Sequence, residues 1–206
     1  MKLYYAPGAC SLSAHIVLRE LGLPFALEAV DLKTKQTASG ADFAALNPKG
    51  YVPALQLDDG EVLTEGVAIV QFLADRHAPG TLAPAAGTIE RARLAGHLNF
   101  ISAELHKAFG PLFNPAITPE AREAAFANIG RKLDVMEKGF ADWRPYLLGP
   151  DFSVADAYLF VILTWAAPMG VDLARWPRLD AFTRRVAARA SVQAAMSAEG
   201  LLQKAA

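Results

Sequence analysis

Residues 1–22 read MKLYYAPGACSLSAHIVLRELG, and three local signals follow one another within them. Residues 2–6 form the short apolar and aromatic run of a β-strand, and Pro7 and Gly8 then indicate a turn. Residues 11–21 have helical spacing, which Gly22 ends. The order predicts a strand, a tight turn and a helix, with Cys10 immediately ahead of the helix.

The next residues continue this alternation of strand and helix signals. Residues 25–31 alternate as in a strand. Residues 53–57 and 61–64 flank an Asp-Asp-Gly turn, which predicts a β-hairpin. Residues 65–77 return to helical spacing. The predicted order is therefore β-α-β followed by β-β-α.

The chain changes character near residue 80, since residues 78–88 contain two Pro and two Gly. Such a segment is typical of a linker. Beyond it, hydrophobic residues recur every three or four positions, as in amphipathic helices. One such set is Leu94, Leu98, Ile101, Leu105 and Phe109. We predict a first domain over residues 1–79, a linker over 80–87 and an all-helical domain over 88–206, in which Ser153 and Asp156 form a helix-capping box.

The composition excludes several classes of protein. The 206 residues include 20 basic and 21 acidic side chains, for a net charge of −1, so nothing favours nucleic acid or an anionic membrane as a partner. A single Cys excludes an internal disulfide framework, and His15, His77 and His97 lack metal-ligand spacing, so no metal site is predicted. The most apolar stretch, residues 157–171, is shorter than the roughly 20 residues of a membrane span. We expect a buried core helix there, and a soluble, cytoplasmic protein.

Cys10 is the first candidate reactive group. A thiol at a helix N-terminus lies near unpaired N–H groups and the positive end of the helix dipole, which favour the thiolate. With no second Cys, a redox couple within the chain is excluded, whereas a mixed disulfide with an external thiol stays open. The alternative is a buried Cys without function. Ser11 also has two interpretations, as a helix N-cap or as a hydroxyl that donates to a nearby thiolate.

Five motifs along the chain, taken together, carry a family resemblance. They are MKLYYAPGACSLS (residues 1–13), NPKGYVPAL (47–55), LTEGVAI (63–69), NFISAELHK (99–107) and SVADAY (153–158). In order and spacing they resemble the bacterial beta class of cytosolic glutathione S-transferases over essentially the whole chain. The resemblance implies an α+β fold, with a thioredoxin-like domain that binds glutathione and an all-α domain that contributes the electrophile site. It also implies a cytoplasmic homodimer that acts in detoxification.

The resemblance assigns glutathione contacts to the first domain. The Val52–Pro53 bond is expected to be cis, so that the Val52 backbone pairs with the tripeptide as an added strand does. The Gly66 N–H, at a helix start, is expected to bind the γ-glutamyl carboxylate, and Glu65 the neighbouring ammonium. Lys35 is expected to pair with the glycyl carboxylate. Relatives often have Ser where Gly66 stands, so the chain lacks a hydroxyl donor there.

The second domain contributes the helix around His106. Asn99, Ala103 and His106 form a stripe beside the leucine stripe, and the imidazole can hydrogen-bond sulfur or act as a base. The catalytic candidates are Cys10, Ser11 and His106. The remaining glutathione-binding candidates are Cys10 itself, Asn99, Ala103, Glu104, Leu105, His106 and Lys107. The candidate walls of the electrophile pocket are Phe109, Phe113, Tyr158, Trp165 and Met169; the His that follows this Trp in some relatives is missing, which suggests a more apolar pocket.

The predicted function is therefore that of a glutathione transferase, with glutathione as co-substrate and no tightly bound cofactor. The thiolate would attack a small hydrophobic electrophile such as an aryl or alkyl halide. Two alternatives stay open. One is a glutathione-dependent thiol-disulfide oxidoreductase or reductive dehalogenase, in which Cys10 forms a mixed disulfide. The other is a non-catalytic ligand-binding protein of the same fold.

Overall fold

The computed structural model describes residues 1–202, which fall into two compact units. One unit comprises Met1–Ala83 together with the segment that starts at Ala188, and the other comprises Pro84–Ala187. The structure therefore divides the chain differently from the prediction, which assigned residues 88–206 to a single domain. The reason is that the last helix packs on the first helix of the chain.

The regular elements are short strands and many helices. The strands are β1 (Lys2–Tyr5), β2 (Ala26–Ala29), β3 (Ala54–Gln56) and β4 (Val62–Thr64). The α-helices are α1 (Leu12–Glu20), α2 (Phe43–Leu46), α3 (Gly66–His77), α4 (Ile89–Phe100), α5 (His106–Phe109), α6 (Pro119–Gly139), α7 (Val154–Thr164), α8 (Ala166–Met169), α9 (Pro177–Ala187) and α10 (Ala190–Ala198). A π-helical turn covers Ile101–Leu105, and 3₁₀ turns cover Gly110–Phe113 and Leu173–Arg175.

The first unit is built on a four-stranded sheet in the order β2-β1-β3-β4. Strand β1 pairs in parallel with β2 and antiparallel with β3, so that Leu3 lies opposite both Leu27 and Leu55. Strands β3 and β4 form the predicted hairpin. The predicted β-α-β and β-β-α order is confirmed. Helix α2 was not predicted; the Asp42 side chain, which accepts from the Ala44 N–H at 2.8 Å, begins it.

Helix α1 is buried up to its last turn, because it contacts β1, α3 and α10. Every residue from 11 to 18 is buried, the polar ones included. Buried polar side chains need hydrogen-bond partners. The Ser13 hydroxyl donates to the Cys10 carbonyl at 2.7 Å, and the Ser11 hydroxyl bonds to the main chain of Ala6. These bonds attach the loop ahead of α1 to the helix itself.

In the second unit, α4, the π-helical turn and α5 form one continuous helix. Its predicted core stripe is confirmed, since Leu94, Leu98, Ile101, Leu105 and Phe109 are all 0% exposed. The π-helical turn was not predicted; within it, the His106 N–H donates to the Ile101 carbonyl five residues earlier. Single π turns occur often at functional sites.

Helix α7 is the most buried helix of the second unit, as its apolar sequence predicted. It packs against α4, the π-helical turn and α9. The predicted capping box is formed: the buried Asp156 carboxylate accepts from the Ser153 N–H at 2.8 Å and the Ser153 hydroxyl at 2.6 Å. It also accepts from the Leu147 N–H at 2.8 Å. Within residues 1–202, none of the helices combines the length and apolar character that a membrane crossing requires.

The substitution Asp156→Asn tests this cap. An Asn turns an N–H₂ donor toward groups that themselves donate, so we expect a loss of about 2 to 3 kcal/mol in the free energy of unfolding in urea. The matched control is Thr118→Ala, which removes the exposed N-cap of α6 and should cost about 1 kcal/mol. Equal losses for the two variants would show that the buried carboxylate contributes nothing beyond an ordinary cap.

Candidate functional site

Cys10 lies in the turn that joins β1 to α1, where it is partly buried. Its Sγ donates to the Val52 carbonyl at 3.3 Å. Two of the residues assigned to glutathione binding, one before α1 and one before β3, are therefore adjacent. Because Cys10 is the single cysteine of the chain, its thiol is the only one that the chain itself contributes to this site.

The Ser11 hydroxyl has a structural role in the same turn. It is 0% exposed, accepts from the Ala6 N–H at 3.2 Å and donates to the Ala6 carbonyl at 3.3 Å. Ser11 occupies the N-cap position of α1, but its side chain makes no capping hydrogen bond. This geometry directs the hydroxyl proton at Ala6, so a catalytic role of Ser11 stays a prediction that the contacts do not favour.

The Val52–Pro53 peptide bond is cis, as expected. Asn47 shapes the loop before it, since its buried side chain donates to the Tyr51 carbonyl at 2.8 Å. Within residues 1–202, the N–H of the buried Val52 donates no hydrogen bond. Buried main-chain donors are rarely left unpaired. This N–H is therefore a candidate partner for a bound peptide.

Lys35 is turned toward the same loop. Its Nζ donates to the Gly50 carbonyl at 2.9 Å and lies 5.8 Å from the centre of the Tyr51 ring. The residue is partly buried and has a φ of 59°. A lysine in a polar loop is ordinarily surrounded by water. In the structure, however, the Lys35 ammonium is held beside the segment that contains Val52.

Glu65 and Gly66 lie where β4 gives way to α3. Glu65 is the N-cap residue of α3, with φ 70° and ψ 110°, a conformation that costs a residue other than glycine free energy and that is often associated with binding sites. Its exposed carboxylate pairs with the Lys49 ammonium at 2.7 Å, a contact that the sequence analysis missed. A Cβ on Gly66 would lie 3.5 Å from a Pro53 ring carbon. The start of α3 therefore adjoins the cis proline.

In the second unit, His106 begins α5 directly after the π-helical turn. Its Nδ1 hydrogen-bonds the Tyr158 hydroxyl at 2.7 Å, and its ring meets the Trp165 ring edge-on at 4.8 Å between centroids. Burial, with a smaller effect of the Lys107 cation, lowers the pKa of His106 to about 4. The imidazole is therefore uncharged near neutral pH.

Trp165 is the centre of an aromatic cluster in this unit. Phe109 and Phe113 contact its ring edge-on, with centroids 6.0 and 5.2 Å away. Phe109 is fully buried, whereas Phe113 is 52% exposed. Tyr158 joins this cluster through His106, whose ring contacts both Tyr158 and Trp165. Four of the five predicted pocket walls therefore lie together, namely Phe109, Phe113, Tyr158 and Trp165. The fifth, Met169, ends α8, and its N–H donates to the Trp165 carbonyl at 3.2 Å.

The other candidates on this helix differ in exposure. Asn99, Ala103 and Lys107 are exposed. Glu104 is paired with Lys132 of α6. Leu105 is 0% exposed in the core, so its burial does not favour contact of its side chain with glutathione, and that role stays a prediction. The burial of Leu105 agrees with its place in the predicted core stripe of this helix. In the described part of the chain, no three His, Cys, Asp or Glu residues form a group that could hold a metal ion.

The comparisons with known proteins agree with these features. A model of the glutathione S-transferase N-terminal domain matches residues 8–76, and one of the C-terminal domain matches residues 119–185. Glutathione S-transferase GstA of Escherichia coli O157:H7 is 46% identical, with 98% of this chain and 100% of that protein covered.

Two solved structures are similar along their whole length. A ternary complex of BphK, a bacterial glutathione S-transferase, is 56% identical, with a TM-score of 0.94 and coverage of 98% of this chain and 100% of that one. The bacterial beta class glutathione S-transferase of Sphingomonas chungbukensis is 48% identical, with the same TM-score and coverage. With both domain models matched and near-complete coverage, the chain belongs to the glutathione S-transferase family, in its bacterial beta class.

Proposed function

We propose that this glutathione transferase binds glutathione with the loop 47–53 and the start of α3, and joins the intact tripeptide, through its sulfur, to an electrophilic carbon of a small apolar substrate. The observation that supports this most directly is the contact of the Cys10 Sγ with the Val52 carbonyl beside the cis proline. In the reaction the glutathione thiolate forms a carbon–sulfur bond, and a leaving group such as halide departs with the electron pair of its bond to carbon.

The tripeptide has charged groups at both ends, and the first unit offers a partner for each. The Gly66 N–H, at the start of α3, suits the γ-glutamyl carboxylate, because helix N-termini bind anions. Glu65 suits the adjacent ammonium, which would replace the Lys49 ammonium in the ion pair. Lys35 suits the glycyl carboxylate. The Val52 N–H completes the set by pairing with the middle of the peptide, as an added strand does.

The chemistry requires glutathione to lose its thiol proton. Lowering a thiol pKa by one unit takes about 1.4 kcal/mol of preferential interaction with the thiolate, which a few donors can supply. The Cys10 S–H is one candidate, since a thiolate is a stronger acceptor than the Val52 carbonyl that it now contacts. His106 is another, and because it is uncharged it would act by donation from a ring N–H. Donation by the Tyr158 hydroxyl to Nδ1 would leave that proton on Nε2.

The electrophile class follows from the aromatic cluster around Trp165. The half-exposed Phe113 ring, edge-on to Trp165, presents an apolar surface suited to aryl and alkyl halides. We further propose that the protein works as a cytoplasmic homodimer in detoxification, as is typical of this family.

Lys35 provides a test of glutathione recognition. Loss of one charge-assisted hydrogen bond to a carboxylate costs about 1.5 kcal/mol, so Lys35→Ala should raise the KM for glutathione roughly tenfold. The matched control is Lys33→Ala, which removes an exposed ammonium from the same loop and should change that KM less than about twofold. Steady-state kinetics with varied glutathione measure both. A similar KM for the two variants would mean that glutathione binding depends on the overall charge of the loop and not on Lys35 in particular.

The low pKa of His106 predicts a pH effect on stability. Its folded value of about 4 lies below the ordinary 6.5, so the unfolded chain takes up the proton first as the pH falls. The stability that the uncharged ring contributes is present above pH 6.5 and is lost on the way down to pH 4. Relative to His106→Asn, the wild type should lose on the order of 1 kcal/mol in the free energy of unfolding between pH 7 and pH 5. A constant difference across that range would contradict the low pKa.

Replacing Cys10 distinguishes glutathione transfer from thiol–disulfide exchange as the function of the protein. The wild type should be retained on immobilised glutathione and should conjugate an activated aryl halide. We expect Cys10→Ala to keep measurable conjugation, because other donors remain, and to lose any disulfide exchange. A variant that loses both, together with mass spectrometry showing glutathione on the untreated wild-type thiol, would favour the oxidoreductase. Retention of the wild type without any turnover would indicate a ligand-binding protein.

A further inference from the structure

Glu199, just after α10, is a buried carboxylate in the first unit. Its side chain is 0% exposed, and so is that of His15, whose Nδ1 lies 2.8 Å from Glu199 Oε1. The second oxygen, Oε2, accepts from the Gly8 N–H at 2.9 Å. Glu199 thus joins the middle of α1 to the loop that precedes Cys10. No sequence motif indicated this role, and its two partners lie 184 and 191 residues away.

The hydrogen bonds define how this carboxylate is stabilised. His15 Nε2 accepts from the Arg19 Nε–H at 3.3 Å, so the ring proton lies on Nδ1 and is donated to Glu199. The carboxylate therefore accepts from two donors, one on each oxygen. Burial, with a smaller effect of the negative charge of Glu199, raises the pKa of Tyr5 at the end of β1.

The segment that includes Glu199 also covers the loop by packing. Gly8 has a φ of +70°, a conformation that glycine adopts at no steric cost. A Cβ at this position would lie 3.4 Å from a terminal carbon of Leu201. The Gly8 amide therefore has a polar contact to Glu199, and its α-carbon has an apolar neighbour in Leu201.

We propose that Glu199 is a positioning residue for the glutathione site: held by His15, its carboxylate fixes the Gly8 amide and with it the loop that carries Cys10. Cys10 follows Gly8 by two residues, and its Sγ lies beside the Val52 carbonyl. Groups that act on a bound ligand need to be held within about 0.5 Å of their working position. The Ser11 and Ser13 hydroxyls hold the main chain of Ala6 and Cys10, and Glu199 holds the Gly8 amide between them.

The chain offers a matched control on the same pair of helices. Glu20, at the end of α1, binds Arg189 and Ser191 at the start of α10. It joins the two helices as Glu199 does, but both its partners lie at the opposite end of α10 from Glu199. Glu20→Gln therefore tests helix packing alone. In Glu199→Gln the amide has one acceptor, so its N–H₂ must face either the Gly8 N–H or the His15 Nδ1–H.

The experiment compares these variants at a temperature well below the Tm of each. Because Cys10 is the single thiol, its alkylation by iodoacetamide reports on the loop alone. We expect Glu199→Gln to change the alkylation rate constant about fivefold or more, and to raise the KM for glutathione by a similar factor with a smaller change in kcat. Glu20→Gln should lower Tm while changing both readouts less than about twofold.

Two results would overturn the proposal. One is a Glu199→Gln variant that matches Glu20→Gln in both the alkylation rate and the KM. The other covers a Glu199→Gln variant that does not fold: Leu201→Ala, which removes the apolar side chain next to Gly8, should then change both readouts by more than Glu20→Gln does, and no larger change would contradict the proposal. The proposal rests on the glutathione site described above, but alkylation needs no glutathione, so its outcome is independent of whether transfer occurs.

Discussion

The burial of α1 from Leu12 to Leu18 is the constraint on which the first unit depends. This stretch, covered by a sheet, α3 and α10, cannot leave polar side chains to water, yet it contains Ser13 and His15 and has Ser11 as its N-cap residue. Each of the three bonds to a segment that surrounds Cys10, directly or through Glu199. Because these buried polar side chains need hydrogen-bond partners, and find them around the loop, they also hold the loop in place. The same hydrogen bonds thus satisfy the packed helix and position Cys10.

Local patterns predicted much of the fold. The strands, the hairpin and the leucine stripe depend on neighbours two to four residues apart, so periodicity is enough to find them. The ion pair of Lys49 with Glu65 and that of His15 with Glu199 join residues distant in the chain, and no local pattern marks them. The four-residue α2 is too short for a periodic signal.

For the candidate site, too, local sequence patterns indicated only some of the residues. Cys10 drew attention through its place before a helix, whereas Lys35 and Val52 were assigned by resemblance, since a lysine in a polar loop and a valine before proline are ordinary. For His106, neither the Tyr158 hydroxyl as its partner nor the low pKa could be foreseen, because both come from burial within the folded second unit.

The π-helical turn at Ile101–Leu105 has a consequence for how this helix can change in evolution. A π turn contains one residue more than an α-helical turn, so the helix accommodates an extra residue at this point without breaking. Deleting one residue there would restore regular geometry, and the loss of that residue and the tightening of the turn would nearly cancel, so Phe109 would keep its place in the core. Deleting a residue from the regular part of the helix would instead turn everything downstream by about 100°. In an alignment, single-residue gaps in this helix should therefore collect at Ile101–Leu105.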